Sequence, residues 1–148
     1  GAGVGGHCIA VDPWFIVHAG QESAKLIKTS REVNNYKTEW VIEKIKNAAL
    51  KFENENGRKA KVACMGLAFK PDIDDLRESP ALYIVKRLEA DGLDILAVEP
   101  NIKTHKEFEI VEYQKALQQA DIVTFLVAHK EFKKIDIKTD LDFCGVFN

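Results

Sequence analysis

The 148-residue chain has only three cysteines, four prolines and one methionine. Cys8, Cys64 and Cys144 are too few and too scattered for a disulfide framework, and an odd count leaves one thiol unpaired. A reducing, cytoplasmic setting is therefore expected. No apolar run approaches the ~18 residues of a membrane span, so no membrane insertion is expected. No basic segment followed by an apolar one marks a secretory signal. Neither sign of charge dominates, since 21 Lys and Arg against 23 Asp and Glu give a net charge of −2. A non-specific nucleic-acid binder is usually strongly basic, so the balance argues against that class. There are no internal repeats and no low-complexity tract. What is present is ordinary globular composition, 46% hydrophobic and 30% charged, in a length suited to one domain or one domain with an arm.

The chain opens Gly1-Ala2-Gly3-Val4-Gly5-Gly6-His7-Cys8. Gly1, Gly3 and Gly6 satisfy the G-x-G-x-x-G spacing. A dinucleotide fingerprint also needs a strand before it and a helix directly after it. Nothing precedes Gly1 here, and Pro13 argues against an early helix. The dinucleotide reading is rejected. Four glycines in the first six residues, with no methionine, suggest a piece of a longer protein. Residues that the chemistry needs are then expected upstream of Gly1.

Residues 21–56 form the second region. From Gln21 to Phe52 there is no Gly or Pro, and Leu26, Val33, Trp40, Val41, Ile45, Ala48, Ala49 and Phe52 recur at mostly three-to-four spacing. This predicts one long helix, or two abutting ones. A continuous helix of that length would extend about 48 Å. A domain this small cannot cover it alone, so it is expected to link domains or to pack against a second subunit. The polar stretch Glu53-Asn54-Glu55-Asn56-Gly57-Arg58 marks the boundary.

Residues 57–148 alternate strand and helix. Strands are predicted at Lys61–Gly66, Leu93–Val98 and Asp121–Val127, with a short one at Glu109–Val111 and a last one at Phe143–Phe147. A helix begins at Ser79-Pro80, with Ser79 as N-cap and Pro80 at the first helical position, and ends at Gly92. Tyr113–Ala120 and His129–Lys133 also read as helical. The alternation implies an α/β fold, a Rossmann-like parallel sheet with helices on both faces.

Two places could carry chemistry. The loop Leu67 to Glu78 follows the first strand, at the carboxyl end where open α/β sheets bind ligands. The helix start at Ser79 offers free N–H groups to an anion. Lys70 and Arg77 add positive charge, and Phe69 could stack on a base. A nucleotide or phosphorylated ligand fits. Equally, Lys70 and Arg77 could simply balance Asp72, Asp74, Asp75 and Glu78 on a solvated loop. The second place is Cys8, beside His7 and four residues before Asp12. Nearby donors favour a reactive thiolate, a glycine loop admits substrate close to the backbone, and a carboxylate can activate water. Spacing alone leaves Cys8 equally open to being a small buried hydrophobe. Cys64 and Cys144 read as core. His18, His105 and His129 read as surface or capping residues, and no spacing resembles a metal site.

The stretch Gly5-Gly6-His7-Cys8-Ile9-Ala10-Val11-Asp12-Pro13-Trp14-Phe15, followed by Gly66-Leu67-Ala68-Phe69-Lys70-Pro71 and Arg77-Glu78-Ser79-Pro80, resembles the UDP-glucose/GDP-mannose dehydrogenases. The resemblance covers essentially the whole chain and matches the C-terminal portion of that family. It implies three parts: residues 1–20 as the catalytic-cysteine loop, 21–56 as the central dimerisation helix region, and 57–148 as a UDP-binding Rossmann-like domain. The NAD-binding domain and the catalytic lysine would lie upstream.

The resemblance also implies roles. Members oxidise the C6 alcohol of a nucleotide sugar to a carboxylate with NAD⁺. Cys8 would be the nucleophile that forms a thiohemiacetal and then a thioester. Asp12 would help activate the hydrolytic water. Gly1, Gly3 and Gly5 would line the sugar pocket with backbone. Phe69 and Lys70 would contact UDP, and Arg77 would reach toward NAD. Val11 stands where some relatives carry lysine, which fits the N-acetylhexosamine branch, with UDP-N-acetyl-D-mannosamine the first candidate substrate. Asp142 is followed by Phe143 and Cys144, where relatives tend to place a basic residue, so no C-terminal binding residue is named. The alternative is a UDP-sugar-binding and dimerisation module with no catalysis of its own. A third reading, a Cys-His hydrolase, lacks a clear orienting residue and oxyanion site.

Overall fold

The computed structural model describes residues 1–137, 139 and 141–147. Three short apolar strands, β1 (Lys61–Met65), β2 (Asp94–Val98) and β3 (Ile122–Phe125), pair in parallel in the order β2-β1-β3. Lys61 to Met65 lie opposite Asp94 to Val98 on one side, and Val62 to Met65 lie opposite Ile122 to Phe125 on the other. Successive side chains of the central strand point to opposite faces. Val62 and Cys64 pack toward one helix layer, and Ala63 and Met65 toward the other. A strand buried on both faces needs a continuous apolar run, which β1 has.

The first layer is built by α2 (Lys25–Asn56) and α3 (Pro80–Ala90). Val41, Ile42 and Ile45 of α2 meet Ala81, Ile84, Val85 and Leu88 of α3 over the sheet. Ile45 is fully buried, which stabilises the fold by about 1.5–3 kcal/mol. The second layer holds Ala116 of α4 (Tyr113–Gln119) with Phe125, Phe132 and Val146. Helix α3 starts as the sequence predicts: Ser79 caps it by accepting from the Leu82 N–H at 3.3 Å, with Pro80 at its first position. The Ser79 hydroxyl also donates to the Leu67 carbonyl at 2.6 Å, which ties the helix to the loop after β1.

Several expectations are corrected. A helix does open near the glycines: α1 spans Asp12–Gly20 with Pro13 in its first turn. Proline is tolerated there because the first-turn N–H groups have no intrahelical partner. The long helix is one helix, entered through a short 3₁₀ turn at Gln21–Ala24, and it runs through the polar stretch to Asn56 before Gly57 ends it. Phe143–Phe147 is not a strand. Only a single bridge joins Phe125 to Asp142. The Asp142 carboxylate then accepts the N–H groups of Cys144, Gly145 and Phe147, which turns the chain away from the sheet. The stretch Glu109–Val111 contributes one bridge, Ala97 to Ile110. The helix expected at His129–Lys133 is a 3₁₀ turn at Phe132–Lys134. No helix among the described residues is long and apolar enough to cross a membrane.

Candidate functional site

The chain leaves β1 for β2 on one side and later crosses to β3 on the other. The strand order reverses between β1 and β3, and ligands of open α/β sheets bind outside the carboxyl ends at such a point. A cleft of about 230 Å³ lies there. Its walls are Ala68 to Pro71 after β1, Leu126 to Ala128 after β3, Pro80 and Ala81 at the start of α3, Gly1 to Gly3, and Cys144. Four of the residues singled out in the sequence, Gly1, Gly3, Phe69 and Lys70, thus come together. The first turn of α3 adds its positive dipole end.

The close approach of these loops explains two glycines. Gly66 has φ +96°, and a Cβ there would lie 2.5 Å from the Cβ of Val127. A Cβ on Gly5 would lie 2.1 Å from the Glu78 carbonyl oxygen. Gly5 therefore lets the N-terminal arm lie directly on the entry to α3. It does not line the cleft itself.

Lys70 and Arg77 separate in role. Arg77 is engaged by Asp75, with Nη2–Oδ2 at 2.6 Å and Nε–Oδ1 at 3.0 Å. The guanidinium hydrogen bonds hold the Asp75 carboxyl down at about 2. The same bonds, with the Asp75 charge, raise the pKa of Arg77. Arg77 does not line the cleft. Lys70 is exposed, its Nζ stands 5.7 Å from the Phe69 ring, and it pairs with no carboxylate among the described residues. Charge balance on the loop accounts for Arg77 and leaves Lys70 available to an anion.

Cys8 is exposed in a turn, not buried as a small hydrophobe. The Asp12 N–H donates to the Cys8 carbonyl at 2.8 Å, which sets the two residues one turn apart, with Asp12 exposed at the head of α1. Cys64 is buried in β1, and burial pushes its thiol up to about 12. Cys144 is half-buried and faces the cleft. Burial first, then Asp142, push its thiol up to about 12, so it is a neutral wall.

Sequence reasoning missed a buried polar cluster beneath the cleft. Glu99 directly follows β2 and is 2% exposed. Its carboxylate accepts from the Leu67 and Ala68 N–H groups at 2.8 and 3.0 Å, and from the Asn101 N–H at 3.1 Å. His129 is neither a surface nor a capping residue. It is fully buried, with Nε2 3.0 Å from Glu99 Oε2. Its Nδ1 receives the Asp72 N–H at 2.9 Å. A backbone N–H can only donate, so Nδ1 is the acceptor and Nε2 carries the proton given to Glu99. Burial works to raise the Glu99 pKa, but the hydrogen bonds from His129 and Leu67 outweigh it and the carboxyl is lowered. The signal in the sequence was a charged residue ending one apolar run and a histidine just after another. Asp72, His129 and Glu131 have ligand atoms within 4.8 Å of one another. Both ring nitrogens of His129 are already committed, so this cluster is not a metal centre.

A larger hollow of about 550 Å³ lies between α1, the first half of α2 and the start of α3. Trp14, Arg31 and Tyr83 are among its walls, and no strand end opens into it. The smaller cleft is the better ligand site because the sheet ends, the helix start and Lys70, which has no carboxylate partner among the described residues, converge there.

The class defined by this arrangement is a Rossmann-like parallel-sheet domain attached to a long helix and a glycine-cysteine arm. Residues 63–143 match the UDP binding domain of the UDP-glucose/GDP-mannose dehydrogenase family, and the chain belongs to that family. It is 51% identical to the UDP-N-acetyl-D-mannosamine dehydrogenase of Campylobacter jejuni, over 97% of this chain and 36% of the relative. It is 50% identical to an NDP-N-acetyl-D-galactosaminuronic acid dehydrogenase of Ralstonia solanacearum, over 92% of this chain and 32% of the relative. A solved UDP-N-acetyl-mannosamine dehydrogenase from Staphylococcus aureus superposes with a TM-score of 0.73 at 37% identity, covering 92% of this chain and 31% of that one. The chain spans about a third of the length of these relatives.

Proposed function

We propose that the chain is the nucleotide-binding and cysteine-bearing part of an NAD-dependent nucleotide-sugar 6-dehydrogenase. Its substrate is a UDP-N-acetylhexosamine, with UDP-N-acetyl-D-mannosamine first because the Campylobacter jejuni relative carries that name. The observation that supports this reading most is the convergence of Gly1, Gly3, Phe69 and Lys70 on one cleft at the switch point of a parallel sheet. Phe69 stacks on or flanks the nucleotide, and Lys70 neutralises phosphate charge. The arm carries the sugar end toward Cys8.

Cys8 supplies the chemistry of the second oxidation. Its thiolate adds to the C6 aldehyde, which gives a thiohemiacetal. Oxidation of that adduct to a thioester would need a hydride acceptor held outside these residues; water attacking the thioester carbonyl would then release the carboxylate and the thiol. Asp12 takes a proton from that water. NAD⁺ is the hydride acceptor implied by the family resemblance. The loop after β1 does not fit its binding site, because Gly66 stands without a glycine trio. No hydride step is assigned to these residues.

Two features favour binding without turnover by the chain alone. One is the lack of a glycine trio after β1. The other is the first half of α2, where no residue from Lys25 to Lys37 is buried and Leu26, Val33 and Tyr36 are 79%, 61% and 69% exposed. That apolar stripe is the dimerisation surface of this reading, in which the chain pairs with a second copy. The test combines calorimetry with UDP and NADH absorbance on mixing the chain, NAD⁺ and UDP-N-acetyl-D-mannosamine. UDP binding without NADH is expected. Absence of UDP binding contradicts the nucleotide assignment, and NADH formation contradicts the division of labour.

A further inference from the structure

We infer that Glu99 and His129 form a buried clamp that positions Phe69 and Lys70 for the nucleotide. This rests on the reading of the cleft as the UDP site. Phe69 and Lys70 sit on a short span with a pin at each end. At its start, Glu99 receives the N–H groups of Leu67 and Ala68. At its far end, the Asp72 N–H goes to His129 Nδ1, and Asp72 Oδ1 accepts from the Lys130 N–H at 2.9 Å. The two pins are joined by the His129–Glu99 hydrogen bond. The clamp therefore draws its residues from beyond the carboxyl ends of all three strands.

An independent feature points the same way. Asp72 has φ +62°, in the left-handed region that non-glycine residues seldom adopt. Such a conformation persists only where the surroundings over-determine it, and such residues cluster at ligand clamps. Here the two hydrogen bonds of Asp72 do so. Asp72 itself is exposed, so burial does not hold it there. The fully buried members are Glu99 and His129, and the edge of the Phe132 ring set keeps the imidazole enclosed, at 5.5 Å between centroids. A buried, fully paired network fixes a unique geometry better than an apolar contact does. The exposed ammonium of Lys70 gains its fixed position from it.

Neither Glu99 nor His129 touches the cleft, so both are positioning residues. The test is UDP affinity by calorimetry on the full chain, read beside the melting temperature, for three variants. His129→Asn keeps an oxygen near the Nδ1 position to accept the Asp72 N–H. His129→Gln reaches Glu99 instead and leaves that N–H unpaired. Asp72→Ala removes the bond to Lys130 on an exposed loop, where folding is safe. His129→Gln is expected to weaken UDP by about tenfold, and Asp72→Ala by about threefold, as loss of one positioning hydrogen bond would. His129→Asn is expected to hold within about threefold of the parent chain although its melting temperature falls as much as that of the Gln variant. Equal UDP affinity in the Gln and Asn variants, or an unchanged affinity in Asp72→Ala, overturns the clamp. If both His129 variants fail to fold, Asp72→Ala alone decides. If the parent chain binds no UDP while it is folded, the nucleotide reading falls, and the clamp with it.

Discussion

The N-terminal arm and the sheet domain solve opposite problems. In the sheet domain, α3 buries Ala81, Ile84, Val85 and Leu88, and even the polar groups beneath the cleft are enclosed and paired. In the arm, α1 buries no residue and leaves Phe15 and Ile16 69% and 53% exposed. The cleft half of the proposed site is thus pre-organised by this chain, at fixed strand ends. The cysteine half is held by its approach to Glu78 and Pro80 and by the Arg31, Asn34 and Thr38 side chains of α2. Under the proposed function, binding energy would lie in the sheet domain and the chemistry in the arm that carries Cys8.

Substitutions in the two regions should therefore separate binding, stability and turnover. The largest effect is expected from Cys8→Ala in an active dehydrogenase containing this chain. Uronate formation should fall by about a thousandfold or more, as for loss of a covalent nucleophile, with UDP affinity and melting temperature unchanged. Retained turnover would remove the nucleophile role. Ile45→Ala opens a cavity under the sheet and should cost about 2–5 kcal/mol in chemical denaturation. Phe15→Ser on the arm should stay within about 0.5 kcal/mol of the parent chain in the same measurement. Equal losses would mean that the arm is packed as firmly as the core. Lys70→Ala should weaken UDP about tenfold without altering stability, since it removes a charge-assisted contact from an exposed side chain.

The smallest effect concerns pH. Asp121 receives Arg58 through two hydrogen bonds of 2.7 and 2.6 Å and also accepts the Lys61 N–H. The Arg58 bonds, with that N–H, hold its folded-state pKa at about 2, below the ordinary 3.8. Its stabilisation is present above the ordinary value and is lost as pH falls toward the folded value. Arg58→Ala should lower the melting temperature slightly at neutrality, since the pair is exposed, and the difference from the parent chain should vanish as pH falls toward about 2, which flattens the acid profile. An unchanged acid profile would show that the pair is idle.

Local chemistry was the legible part of the sequence. The cap at Ser79, Pro80 in the first helical turn and the apolar run of β1 each depend on neighbours in sequence. The residues of the cleft loop stood out for the same reason, since a strand end and a helix start mark it. The final segment misled because Phe143 to Phe147 has strand composition, whereas Asp142 gathers the following N–H groups into a turn. The clamp was invisible because its members lie far apart: His129 is 30 residues from Glu99 and 57 from Asp72. Only the parallel register brings those strand ends together. The close contact of Gly5 with Glu78 was equally hidden, because it depends on a segment far along the chain.

The central claim is that UDP binds at the carboxyl ends of β1 and β3. The most direct measurement is the map of backbone amide shifts on titrating UDP into the isotope-labelled chain. The account predicts shifts concentrated at Gly66 to Lys70, Leu126 to Ala128 and the first turn of α3, with weaker ones at Gly1 to Gly3. Shifts gathered instead around Trp14, Arg31 and Tyr83, in the larger hollow beside α2, would contradict it.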